Sequence, residues 1–131
     1  MITEDYVSFE TAKLLKEKGF DEPCECFYDT ENNDTSIVNG WMIISNSELE
    51  KREIICYSAP TLQMAMKWLK EVHSLYIDIV TSFSQDDICY TFSCSNTMDL
   101  IQGTKETSYH EYQTYEDACE AAIKYCLENL I

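Results

Sequence analysis

The sequence predicts an α+β domain in which antiparallel hairpins form a sheet and three helices pack on one of its faces. Three observations carry that expectation. Capped amphipathic segments stand near the start, the middle and the end of the chain. Between them lie short runs with strand-like alternation, and the spacers are short and polar enough to make hairpins rather than crossovers. The expected order is α-β-β-(β)-α-β-β-β-α, held in one domain over residues 1–131.

The first helix is announced by "YVSFETAKLLKEKGF". Ser8 is placed to cap the free amides of the first turn, Glu10 suits the positive helix end, and Gly19 is a left-handed stop. Phe20 can then fold back on the helix. Strands are expected at "CECFYD", "WMIIS" and "EIICYS", with the polar loop "DTENNDTSIVNG" inside the first pair. The second helix lies in "YSAPTLQMAMKWLKEVH", with Ser58 or Ala59 as cap and Pro60 near the first turn, where its missing amide costs nothing.

The second group of strands is "LYIDIVTSF", "ICYTFSC" and "TSYHEYQ". Ile88, Tyr90, Phe92 and Cys94 share one face, and "SQDD" reads as the turn that joins two strands into a hairpin. The third helix starts at Thr114 in "QTYEDACEAAIKYCLENLI", where Thr114 and Asp117 have capping-box spacing. A weak echo between the second and third helices is read as shared capping grammar rather than duplication.

The apolar arc of the second helix is broad, running through Met64, Trp68, Val72, Ala65, Leu69, Leu62 and Met66. The third helix shows a similar arc through Ala121, Tyr125, Ala118, Ala122, Cys126, Cys119, Leu130 and Ile123. Both arcs read first as core. Met64 and Trp68, at the edge of their arc, are the candidates for an exposed partner surface.

Charge narrows the function classes. The formal net charge is -15, with 24 acidic residues against nine Lys and Arg. The acids concentrate at the two ends. Residues 1–35 hold ten acids and three lysines, residues 36–75 four acids and four bases, and residues 76–131 ten acids and two lysines. With one arginine in the chain, direct contact with nucleic acid or with an anionic membrane is not expected. The N-terminus lacks a signal-like pattern, which points to the cytoplasm, where the seven cysteines act as small buried apolar residues.

No cofactor is expected. Cys24, Cys26 and His73 are the sole zinc candidates, and they lack knuckle spacing. A calcium loop from Asp29 through Glu31 and Asn33 fails, because Asp34 and Gly40 stand where glycine and glutamate are required. Catalysis would need a thiol activated by His73 or His110, and no established catalytic motif is present. The expectation is therefore a non-catalytic acidic protein that binds another macromolecule, most simply a protein, with a second copy of itself as one option. The alternatives are a small cysteine- or metal-dependent enzyme and a small-ligand binder. A narrower version is an acidic mimic that occupies a nucleic-acid-binding protein.

"YVSFETAKLLKEKGFDE", "SAPTLQMAMKWLKEVH" and "TYEDACEAAIKYCLENLI" together resemble a group of short hypothetical proteins from Bacteroides-type gut bacteria and their phages or integrated elements. The resemblance implies a bacterial or prophage cytoplasmic protein with an accessory role. It supplies no activity, cofactor or catalytic residue to carry over by position.

Overall fold

The computed structural model describes residues 1–29, 37–103, 106–107 and 110–131, and they are mixed helix and antiparallel sheet. The side chains of residues 41, 42, 106 and 107 are outside that description, as are Glu31, Asn33 and Asp34 of the calcium test. The α+β class holds. The detail differs: among the described residues there are five helices rather than three, and two three-stranded sheets rather than one. The chain divides into two compact units, Met1–Gln63 and Met64–Ile131.

In the first unit, helix α1 (Phe9–Glu17) begins at Ser8, whose hydroxyl accepts from the amide of Thr11. It ends as the glycine predicts. Gly19 takes φ 91°, its amide donates to Lys16, and the Phe20 amide donates to Leu15, the paired bonds of a Schellman motif. Phe20 is fully buried by this turn-back.

Strand β1 (Cys24–Asp29) lies at the centre of a sheet ordered β2-β1-β3, flanked by β2 (Ile37–Ile44) and β3 (Cys56–Ser58). Helix α2 (Asn46–Lys51), capped by Ser45, sits between β2 and β3. Its residues Asn46 and Leu49 are buried, and Leu49 packs with Ile44, Cys56 and Phe27. Tyr28 donates its phenol proton to the Val7 carbonyl at 2.7 Å, and Phe9 meets Tyr28 and Tyr57 edge-on.

Helix α3 (Leu62–His73) starts later than expected. The reason is a distant partner: Val7 donates to Pro60, Leu62 donates to Asp5, and Tyr6 bridges Thr61, so the backbone through Pro60 stays extended. Among its residues Leu62, Ala65, Trp68 and Leu69 are buried, while Met64 and Val72 are exposed.

In the second unit, strands β4 (Leu75–Ser84) and β5 (Asp87–Asn96) form a hairpin of ten unbroken pairs, and β6 (Glu106–Thr107) adds a short third strand beyond β5. Of the expected strand from Thr107 to Gln113, Thr107 lies in β6 and Tyr112 bridges Tyr90, while residues 108 and 109 are outside the described residues. Helix α4 (Thr97–Gln102) follows β5, closed by a capping box between Asn96 and Asp99 and by Gly103 at φ 73°. Helix α5 (Tyr115–Asn129) starts at Thr114, which accepts from the Asp117 amide at 3.0 Å. Its buried face includes Leu127, which the expected arc omitted, while Ala121, Tyr125 and Leu130 are only partly covered. The two sheets differ in strand order, β2-β1-β3 against β4-β5-β6.

Candidate functional site

The β4–β5 hairpin has two unlike faces. Strand alternation and the pairing register put Leu75, Ile77, Ile79, Thr81 and Phe83 on one face with Cys94, Phe92, Tyr90 and Ile88. That face is apolar, and α5 lies across part of it. Cys126 meets Cys94 with Sγ atoms 3.5 Å apart, Tyr125 packs on Phe92 at 6.0 Å, and Tyr115 meets Tyr90 at 6.2 Å. Tyr90 therefore sits under the first residue of the helix.

The strands continue past that point. Phe83 and Ile88 face each other across the hairpin, 72% and 52% exposed. Val80 on the opposite face is also exposed. A ten-residue strand rises about 33 Å, so the strands outrun the part of the sheet that α5 covers. A second exposed apolar group, Met98, Leu100 and Ile101, sits on α4 at the other end of β5.

The partner-surface candidates divide. Met64 is 40% exposed, but Trp68 is only 6% exposed, with its indole packed edge-on against the His73 ring at 4.7 Å. Trp68 belongs to the interior. The exposed apolar residues of the hairpin end were missed, although the alternation in "ICYTFSC" put Ile88 and Phe92 on one face and so contained the signal.

The thiols are arranged for burial. Cys24 and Cys26 are both buried along β1, and among the described residues no group of three or more His, Cys, Asp or Glu side chains is placed to hold a metal. Burial, with the neighbouring Cys26 and Glu22, pushes the Cys24 thiol up to about 12. Burial pushes Cys119 up to about 11, reinforced by Glu116 and Glu120 and opposed by a hydrogen bond from Tyr115. Cys89 is also raised, by desolvation and by Glu111 and Asp87. These shifts run opposite to what a thiolate nucleophile requires. His73 keeps a buried Nε2 without a hydrogen-bond partner among the described residues, and His110 packs on Tyr112 at 4.6 Å. No helix among the described residues is long and apolar enough to cross a membrane.

No family model, curated protein or solved structure matches the chain.

Proposed function

We propose that this is a non-catalytic acidic protein that works by binding another macromolecule, with the open end of the β4–β5 hairpin as its contact surface. The observation that carries the reading is the Phe83–Ile88 pair. A large aromatic and a β-branched residue face each other on an apolar sheet face, beyond the helix that covers the rest of that face. Interface cores are built from such residues, rimmed by charge. Asp86 and Asp87 supply that rim at the turn. The raised thiols add to the argument against a cysteine enzyme. The resemblance to short phage and gut-bacterial proteins fits an accessory role in the cytoplasm.

The test compares the tagged protein with its Phe83→Ser/Ile88→Ser variant in capture from host lysate. A partner held by the wild type and lost by the folded variant supports the reading. Identical recovery from both would sink this surface as the contact.

A further inference from the structure

The free edge of β4 is the second half of this surface, and its occupant follows from its own sequence. The loop between β4 and β5 is two residues, Gln85 and Asp86, at φ 50° and 65°. That is type I′ geometry, in which the flanking pair Ser84 and Asp87 exchanges both hydrogen bonds. Antiparallel alternation then directs the amides and carbonyls of Tyr76, Asp78, Val80, Ser82 and Ser84 toward β5. Those of Leu75, Ile77, Ile79, Thr81 and Phe83 point the other way, to an edge where no described strand lies.

Natural edges are guarded by shortness, bulges, lysine or proline. Here β3 is three residues long, and the register of β2 against β1 jumps between Cys24 and Cys26. Strand β4 has none of these guards. It is ten residues of unbroken ladder with no Pro, Gly, Lys or Arg, and its one charge is Asp78.

We infer that this edge pairs with β4 of a second copy, antiparallel about a two-fold through Ile79; this rests on the binding reading above and names its partner. The register sets Leu75 against Phe83, Ile77 against Thr81 and Ile79 against itself, so every outward-facing backbone group meets another. On the opposite face, Asp78 falls beside Val80. A two-fold through Asp78 would instead set like charges directly opposite, and one through Ile77 would shorten the overlap. The chosen register uses the strand from Leu75 to Phe83 in full.

The turn acids Asp86 and Asp87 of one copy run toward the segment before Leu75 of the other, where α3 ends in Lys70, Glu71 and His73. The exposed Phe83 ring comes beside Leu75 of the second copy on the apolar face. The product is one six-stranded sheet.

Sedimentation equilibrium of the full chain across about 1 to 100 μM tests this. The wild type should reach twice 15.2 kDa. Val80→Asp places an acid opposite Asp78 twice per dimer, and should raise the dissociation constant about tenfold. Val80→Lys, at the same exposed site, should hold or tighten the dimer through the same two pairs. Thr81→Pro removes an outward donor while sparing the ladder to β5, and should also weaken it. Circular dichroism confirms that each variant is folded. A wild type that stays monomeric overturns the self-pairing, and capture dependent on Phe83 and Ile88 then judges the broader reading separately. A dimer indifferent to both Val80 changes overturns this edge and register. A monomer whose captured partner is lost with Thr81→Pro assigns the edge to a foreign strand, and likewise overturns self-pairing.

Discussion

At the residue scale the cysteines are the clearest case of composition misdirecting attention. Seven thiols invite a search for zinc, disulfides or a nucleophile, yet six are buried and Cys89 is half-buried. Their chemistry is that of small apolar side chains, and burial holds the protons of Cys24 and Cys119 in place. The consequence is a pH dependence with a fixed sign. Cys24 and Cys119 hold their protons up to about 12 and 11, whereas an unfolded chain releases them near 9. Below the unfolded value both states are protonated, and the stability from burial is fully present. As pH rises from there toward the folded values, the unfolded state binds fewer protons and unfolding is favoured. Urea midpoints measured from about pH 7.5 to 10.5 should therefore fall above pH 9, and Cys24→Ala and Cys119→Ala should each flatten the fall. A midpoint constant through pH 10.5 would count against both assignments.

At the element scale, what was legible depended on whether the signal was local. Helix α1 could be read from Ser8, Gly19 and Phe20 because cap and stop are within a dozen residues of each other. The start of α5 at Thr114 and the β4–β5 turn were legible for the same reason. Helices α2 and α4 are six residues each, too short to show a helical period, so only their caps could have disclosed them. For α4 those caps, Asn96, Asp99 and Gly103, were present in the sequence. The late start of α3 was not legible, because Asp5 and Val7 impose it from more than fifty residues away. Choice of strand partners is equally non-local, which is why one expected sheet became two. Trp68 was misjudged because a helical wheel gives a direction without saying what lies there.

Asn46 shows how such non-local ties are made. Its side-chain amide donates to the Phe20 carbonyl at 2.9 Å, and its oxygen accepts from the Ser58 amide at 3.0 Å. One buried residue thus joins the end of α1, the start of α2 and the edge of β3. Asn46→Ala leaves two buried backbone groups unpaired and should cost roughly 2 to 4 kcal/mol in urea unfolding. Asn46→Asp keeps the acceptor but sets a carboxylate against the Phe20 carbonyl, and should cost at least as much. A loss below about 0.5 kcal/mol for Asn46→Ala would show that the three elements are held by apolar packing alone.

At the scale of the whole molecule the governing quantity is the net charge of -15. The ion pairs seen, Lys16–Glu50, Lys67–Glu71 and Lys124–Glu128, each have at least one side chain near half exposed or more, so each contributes little. With 24 acidic residues against nine Lys and Arg, repulsion outweighs attraction across the chain, and the folded state brings the acids closer than the unfolded state does. Salt screens that repulsion over about 10 Å at 0.1 M. Raising sodium chloride from about 20 to 300 mM should therefore increase the melting temperature by a few degrees, whereas a fold dependent on ion pairs would lose stability. The same screening acts on self-pairing, because two copies meet with like net charge. The dimer should tighten over the same salt range, and Val80→Lys should reduce the salt dependence of its dissociation constant by relieving one charge per chain at the seam. If salt instead loosens the wild-type dimer, attraction between Asp86 or Asp87 and the Lys70 end of α3 outweighs the general repulsion. Neutralising Lys70 with Gln would then remove the salt effect.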